Sequence, residues 1–254
     1  MTIERELTGR VALVTGTGPN LGGAIARALA EAGAAVLCND VNAGAANAVA
    51  ASIVAAGGKA IGVGGDVAHA ADVEAMVALG EETFGTIGIL VNNAAFRKRG
   101  GTLDVKPDDW TQTIETVLTG SLLCTQVVAK RLIARKHGGA VINMASASGH
   151  RAQNDTVAYS AAKGGLLNLT RAMALDLAPF NIRVVSISPT RTGDGPQGSG
   201  RFHELRDDIP MGRLGALSDI TDAVCFLASD RAGFITGTDL AVDGGSLATW
   251  GPKI

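Results

Sequence analysis

The chain of 254 residues has few cysteines, few histidines and almost no net charge, and each shortage excludes a class of function. Its three cysteines are scattered through apolar segments, which fits neither a disulfide framework nor a thiolate metal cage. The four histidines show no ligand spacing, so no metal site is predicted. A net charge of −2 excludes the overall basic character of a nucleic-acid-binding protein.

The sequence also lacks the long apolar segments of membrane and secreted proteins. Its first residues, Met1 to Glu6, contain no apolar core of a signal peptide. The Ala/Gly-rich stretch 43–58 is nearly uncharged, but Asn47, Ser52 and the Gly57–Gly58 pair predict a crossover helix rather than a membrane span. We therefore expect a cytoplasmic protein with no membrane partner and no nucleic-acid partner.

Apolar, β-branched runs alternate with helical patterns along the chain. The longest helices are predicted near 107–135 and 156–178. The predicted strands lie near 11–15, 35–39, 59–64, 87–91, 140–145, 182–188 and 238–242. Such alternation indicates parallel strands joined by crossover helices. The prediction is a single α/β domain over residues 1–254, with a doubly wound, Rossmann-like parallel sheet of about seven strands and helices on both faces.

The N-terminal third has the pattern of a nucleotide-binding turn. The strand predicted at 11–15 runs into the glycine-rich segment 16–23, and a helical pattern follows. A strand, a glycine turn and a helix in this order present backbone N–H groups and a positive helix end to a pyrophosphate. The spacing fits neither G-x-G-x-x-G nor G-x-x-x-x-G-K-[ST], so a P-loop is excluded. A tight connection without a ligand is the alternative.

The second predicted strand leads to Asp40, 24 residues beyond Gly16. A carboxylate at this position accepts hydrogen bonds from the ribose hydroxyls of NAD and repels the extra phosphate of NADP. No arginine or lysine lies between Arg27 and Lys59 to hold that phosphate. We therefore predict NAD as the cofactor, and the alternative or additional role for Asp40 is to cap the next helix.

Ser146, Tyr159 and Lys163 are the candidate catalytic residues. Tyr159 and Lys163 are four positions apart, so in a helix both side chains lie on one face. An ammonium beside a phenol lowers the tyrosine pKa from about 10 toward working pH, where general acid–base catalysis is most efficient. Ser146 follows an apolar run that predicts a strand, and its hydroxyl suits a carbonyl being reduced or an alcohol being oxidised. Taken singly, Tyr159 and Lys163 could instead be a solvated pair on a helix, and Ser146 a strand-end cap.

These motifs, taken in order, resemble the short-chain dehydrogenase/reductase family of about 250 residues, over essentially the whole chain. The segment from Thr15 to Gly22 is similar to its Thr-Gly-x-x-x-Gly-x-Gly turn, with Asn20 at the middle glycine. Because asparagine adopts the left-handed conformation more readily than other non-glycine residues, we expect Asn20 to preserve the turn. The other matching elements are Asp66-Val67, Asn92-Asn93-Ala94-Ala95, the set Ser146, Tyr159 and Lys163, and Asp243-Gly244-Gly245.

The resemblance implies which residues form the site. The catalytic residues would be Ser146, Tyr159 and Lys163. The cofactor-binding residues would be Gly16, Asn20, Leu21, Gly22, Asp40, Asp66, Val67, Asn93, Ala94, Tyr159, Lys163, Pro189 and Thr192. It also implies a homotetramer, assembled through the two long helices and the C-terminal strand.

The chain departs from the family pattern at three positions. Val117 stands where the family has a fourth catalytic residue, an asparagine. It keeps the main-chain carbonyl there but cannot supply the side-chain amide. The family Pro-Gly after the sixth strand is Pro189-Thr190. The family has a threonine that binds the nicotinamide amide, and Asp194 stands at its position here, unless Thr192 takes over the role. A Gly/Pro/Ser-rich segment near 190–210 resembles the family's substrate-covering loop.

Basic residues follow three of the predicted strands. Arg97-Lys98-Arg99 follows the fourth, His150-Arg151 the fifth and Arg191 the sixth, at the edge where open α/β sheets bind ligands. A cationic rim would favour a substrate with a carboxylate, phosphate or acyl-carrier group. Solvated loop charges or subunit contacts are the alternative, and the sequence alone slightly favours it.

The predicted function is that of an NAD(H)-dependent oxidoreductase that interconverts a secondary alcohol and a ketone, with Tyr159 as general acid or base. One alternative is a 3-oxoacyl-thioester reductase, which would use NADPH. A catalytically impaired dinucleotide-binding module is an alternative of another class. Lyase or epimerase chemistry on the same fold is a weaker one, because fold does not fix function.

Overall fold

A seven-stranded parallel sheet forms the centre of the computed structural model, which describes residues 6–193 and 209–249. Its strand order is β3-β2-β1-β4-β5-β6-β7, and every neighbouring pair is parallel. The strands are β1 Val11–Thr15, β2 Ala35–Asp40, β3 Lys59–Gly64, β4 Ile89–Asn92, β5 Gly139–Met144, β6 Ile182–Pro189 and β7 Asp239–Val242. The predicted sheet is confirmed, with strand ends that differ from the prediction by at most two residues.

Helices connect the strands and cover both faces of the sheet. They are α1 Leu21–Glu31, α2 Ala43–Ala55, α3 Ala70–Phe84, α4 Pro107–Ile114, α5 Gly120–Ala134, α6 Ala147–His150, α7 Val157–Leu177 and α8 Leu217–Ala228. On one face Val14 packs with Ile25 of α1 and Val224 of α8. On the other face Leu13 packs with Met76 of α3 and Leu132 of α5. Consecutive residues of β1 thus face opposite cores, which is why its first four residues are all apolar.

The long helix predicted near 107–135 is interrupted by a π-helical turn, Glu115–Thr119. The N–H of Gly120 donates to the carbonyl of Glu115, five residues earlier, as a π turn requires. The carbonyl of Val117 accepts the Ser121 hydroxyl at 2.7 Å. Gly120 lies directly against Val67, since a Cβ at this glycine would be 2.6 Å from Val67 Cγ2.

Among the described residues, only the helical run Pro107–Ala134 is long and apolar enough to cross a membrane by length and composition. Half of its apolar window is buried inside the protein. A core helix of a soluble protein passes the same test, so the run is weak evidence for a membrane span.

The strand order reverses at β1, which lies between β2 and β4. The crossovers from β1 and β4 therefore leave in opposite directions and open a crevice at the carboxyl ends of the strands. Gly16 follows β1, Asp40 ends β2, and Asn93 follows β4, so the predicted cofactor residues meet at this crevice.

Candidate active site

The turn after β1 has room only for glycine at two positions. Gly16 has a φ of +67°, and a Cβ there would lie 2.7 Å from Ala94 Cα. A Cβ on Gly22 would lie 2.0 Å from the carbonyl oxygen of Gly16. Leu21 begins α1, so the turn leads directly into the helix N-terminus. The backbone is thus folded closely enough to bring N–H groups to a phosphate.

Asn20 is not left-handed, so the reason we gave for its preserving the turn was wrong. Its φ is −89° and its ψ is −136°, and it precedes α1 without a side-chain capping bond. Its carbonyl accepts the N–H of Ala24 at 3.1 Å. Because the left-handed residue of the turn is Gly16, position 20 does not need a glycine's conformational freedom.

Asn93 and Thr15 fasten the glycine turn to the end of β4. The Asn93 side-chain amide donates to the carbonyls of Thr15 at 3.0 Å and Gly16 at 2.9 Å. In return, the Thr15 hydroxyl accepts the N–H groups of Asn93 and Ala94, both at 3.1 Å. Asn93 therefore holds the turn in place, and the sequence motif included Thr15 but did not indicate these bonds.

Asp40 faces the glycine turn across a cleft of about 180 Å³. Its Oδ2 lies 3.6 Å from the position that a Cβ of Gly18 would take. Its Oδ1 accepts the N–H of Asn42 at 2.9 Å. The cap of α2 is Asn42, whose side chain accepts the N–H of Ala45. The alternative role of Asp40 as helix cap is therefore wrong, and the carboxylate stands at the cleft.

Asp66 and Val67 form another wall of the same cleft, together with Ala94. The Asp66 carboxylate accepts the N–H of Ala68 at 2.9 Å, which fixes the turn before α3. Val67 is almost fully buried against Gly120. The predicted adenine-contacting pair thus lies beside Asp40 and the glycine turn.

Ser146, Tyr159 and Lys163 come together at the carboxyl end of β5. Ser146 caps α6 by accepting the N–H of Ser148 at 3.1 Å, and its hydroxyl lies close enough to the phenol of Tyr159 to lower the pKa of that phenol. Tyr159 and Lys163 lie one turn apart on α7, with the ammonium 5.5 Å from the centre of the phenol ring. The ammonium donates to the carbonyl of Met144, the last residue of β5.

The pKa of Tyr159 differs from our expectation. Burial raises its pKa above the ordinary value, and the Ser146 hydrogen bond and the positive charge of Arg97 offset part of this increase. The net shift is therefore upward, and the lowered Tyr159 pKa that we predicted is not found. Burial lowers the pKa of Lys163 to about 8, and its ammonium points to a carbonyl of β5.

Arg97 stacks on the ring of Tyr159, with its Cζ 5.1 Å from the ring centre. Its only hydrogen bond within the described chain is a long one, 3.4 Å, to the neutral side chain of Gln153. Lys98, by contrast, forms an ion pair with Asp109 at 3.1 Å. The sequence indicated the basic run but did not distinguish Arg97 from its neighbours.

The strand end that would hold the nicotinamide is described as far as residue 193. Pro189 ends β6, and Thr192 bridges to Gly215, where a Cβ would lie 2.7 Å from the Thr192 methyl. Asp194 and most of the segment near 190–210 lie outside the described residues.

Metal and thiol chemistry find little support in the described part of the chain. No group of three histidine, cysteine or acidic side chains there could hold a metal ion. Burial raises the pKa of Cys38, Cys124 and Cys225 to about 12, so these thiols stay protonated and unreactive near neutral pH.

Comparisons with known proteins agree with this arrangement. A sequence profile described as enoyl-(acyl carrier protein) reductase matches residues 17–246. The D-threitol dehydrogenase of Mycolicibacterium smegmatis is 38% identical over 248 residues, which cover 94% of each chain. The 3-oxoacyl-(acyl-carrier-protein) reductase of a Synechocystis strain is 36% identical and covers 94% of this chain and 97% of its own.

A solved structure extends the similarity to three dimensions. The gluconate 5-dehydrogenase of Burkholderia cenocepacia, in complex with NADP and tartrate, is 35% identical with a TM-score of 0.90. The match covers 98% of this chain and 100% of that one. At such identity and coverage the likeness extends beyond the fold, and the chain belongs to the short-chain dehydrogenase/reductase family.

Proposed function

We propose that the protein is an NAD(H)-dependent oxidoreductase that interconverts a secondary alcohol and a ketone, with Tyr159 as general acid or base. The observation that carries the proposal is the meeting of Ser146, Tyr159 and Lys163 at the sheet edge that also carries the glycine turn and Asp40. A proton-transfer group and a dinucleotide cleft at one edge are what hydride transfer needs.

The residues at the cleft fit a dinucleotide. The turn at Gly16 and Gly22 leaves no space for a Cβ, and together with the N-terminus of α1 it would hold the pyrophosphate. Asp40 would accept the ribose hydroxyls, and Asp66 and Val67 would flank the adenine. When bound, the nicotinamide ring supplies the hydride acceptor or donor.

Tyr159 would move the proton. In the oxidation direction its phenolate takes the proton of the substrate hydroxyl, and in reduction its phenol returns one. Because burial raises the Tyr159 pKa, the Ser146 hydrogen bond and the Arg97 charge matter for reaching the phenolate. Proton transfer of this kind contributes ~10²–10⁴-fold to the rate. Lys163 would bind the nicotinamide ribose, with Met144 orienting its ammonium.

Arg97 supports an anionic substrate. Its guanidinium lies on the Tyr159 ring and pairs with no carboxylate among residues 6–193 and 209–249. A carboxylate attached near the reacting alcohol would give it a charge-assisted partner. The similar gluconate 5-dehydrogenase is named for a hydroxy acid, which is consistent with this class. We therefore propose a hydroxy acid or the corresponding keto acid as the substrate.

The 3-oxoacyl-thioester reductase is the second candidate, supported by the similar Synechocystis enzyme. The position of Asp40 at the cleft disfavours it, because a carboxylate there repels the NADPH phosphate. The impaired module is motivated by Val117, which lacks the side-chain amide of an asparagine and whose carbonyl accepts a hydrogen bond from the Ser121 hydroxyl. Measured turnover separates that module from either enzyme.

The test is a screen of secondary hydroxy acids with NAD, each beside its neutral amide. Arg97→Gln should raise KM for the acids about tenfold or more relative to the amides, since a hydrogen bond to a charged group contributes about 1.5–3 kcal/mol. Arg99→Gln is the matched control on the same loop. An equal loss for acids and amides would refute the anionic substrate.

Tyr159→Phe tests the chemistry itself. It should abolish turnover and leave the NADH dissociation constant near normal, because the glycine turn, Asp40 and Lys163 still hold the cofactor. Fluorescence titration with NADH measures the second quantity. Unchanged turnover of this variant would contradict the assignment of Tyr159.

A further inference from the structure

A polar cluster, exposed at His150 and buried at its two serines, joins α6 to strands β6 and β7. His150 Nε2 lies 2.8 Å from Asp239 Oδ2 and 3.2 Å from the Ser188 hydroxyl. The other carboxylate oxygen accepts the hydroxyls of Ser186 at 2.5 Å and Ser188 at 3.0 Å. The Asp239 side chain is 8% exposed and both serines are buried, so this carboxylate depends on these partners for its stability.

The geometry restricts what the cluster can do. Ser186 stands opposite Asp239 in the β6–β7 ladder, so the sheet itself fixes the acceptor. Since the Asp239 carboxylate only accepts hydrogen bonds, His150 must donate from Nε2. The serine and the aspartate both approach this same nitrogen, whereas a hydrolytic triad uses the two ring nitrogens separately. The arrangement therefore anchors His150 and does not activate a nucleophile.

His150 ends the short helix whose other end is Ser146. Helix α6 has four residues, too few to be stable without tertiary contacts. Ser146 caps its start and lies beside the Tyr159 phenol, whose pKa it lowers, and His150 at its last residue is held by Asp239. The next residue, Arg151, donates to the carbonyl of Ser246 at 3.0 Å. The segment that carries Ser146 is thus fastened at its far end.

We propose that His150 is a positioning residue, whose bond to Asp239 holds α6 where the Ser146 hydroxyl meets the Tyr159 phenol. The inference rests on the role of Tyr159 proposed above, but it concerns how the chain prepares that residue. Since the nearby Ser146 hydroxyl lowers the Tyr159 pKa, releasing α6 raises that pKa. His150 itself touches none of the reacting groups.

The chain contains one tyrosine, so the ultraviolet absorbance of tyrosinate reports on Tyr159 alone. We would titrate the wild type and variants of His150 without substrate or cofactor. The matched pair is His150→Gln, whose amide N–H reaches the position of Nε2, and His150→Asn, which is one methylene shorter. Ser146→Ala gives the size of the full effect, and His69→Ala, at an exposed position, is the control.

We expect His150→Asn to raise the Tyr159 pKa in the same direction as Ser146→Ala, by about half to one pH unit, as for loss of one hydrogen bond. His150→Gln and His69→Ala should leave it at the wild-type value. Circular dichroism at each pH restricts the comparison to folded protein. A Tyr159 pKa in His150→Asn equal to the wild type, or no shift in Ser146→Ala, would overturn the inference. Because no turnover is measured, an inactive protein with these shifts would contradict only the proposed function.

Discussion

Replacing Asp40 with asparagine tests the cofactor proposal most directly. The variant keeps the size of the side chain and an oxygen for the N–H of Asn42, which Asp40 accepts at 2.9 Å. It removes the negative charge beside Gly18, where Oδ2 approaches the glycine turn. We expect weaker binding of NADH and stronger binding of NADPH, with the fold unchanged.

The magnitude follows from the two ribose hydroxyls. A hydrogen bond to a charged group contributes about 1.5–3 kcal/mol and a neutral one about 0.5–1.5 kcal/mol, so losing the charge costs about 2–3 kcal/mol for two bonds. That is roughly a 30- to 140-fold weaker NADH complex, since each 1.4 kcal/mol is tenfold. For NADPH the sign reverses, because the variant no longer repels the ribose phosphate.

Fluorescence titration with NADH and, separately, with NADPH measures both affinities. Asp176→Asn, on the exposed end of α7, makes the same change of charge far from the cleft and is the control. An Asp40→Asn variant with unaltered NADH affinity would refute the reasoning about the ribose. A wild-type preference for NADPH would overturn the NAD proposal and favour the thioester reductase.

Three further predictions follow from packing and charge. Gly22→Ala should lose NADH binding in the same titration, because its Cβ would lie 2.0 Å from a carbonyl oxygen; Gly88→Ala, where the nearest atom is 3.7 Å away, should not. Lys163→Met should increase the free energy of unfolding at pH 7 by up to about 3 kcal/mol, and so raise the melting temperature, while abolishing turnover. Burial lowers the Lys163 pKa from 10.5 to about 8, so the charged ammonium destabilises the wild type fully below pH 8 and progressively less between pH 8 and 10.5. The stability gained by Lys163→Met should therefore shrink over this range in thermal melts, and a constant gain contradicts the lowered pKa. Leu240→Glu on the edge strand β7, where this leucine is 38% exposed, should lower the mass measured by light scattering if the protein is the homotetramer that the sequence resemblance implies, and an unchanged mass argues against that interface.

Local patterns predicted much of the site. Helical periodicity alone brings Tyr159 and Lys163 to one face, and strand ends bring Gly16 and Asp40 to one edge, because parallel strands end at the same side of a sheet. The error at Asn20 was local as well. An asparagine at position 20 would indicate a left-handed residue only if the turn needed that conformation there. The turn has its left-handed residue at Gly16 instead.

The sequence by itself determined the α/β sheet, the glycine turn and the spacing of the candidate catalytic residues, since each depends on residues close together in the chain. Only the tertiary structure decided which distant groups meet them. Arg97 reaches the Tyr159 ring from the end of β4, and His150 reaches Asp239 across 89 positions. Such contacts depend on strand order and register, and the electrostatics of Tyr159 depend on burial that periodicity does not encode.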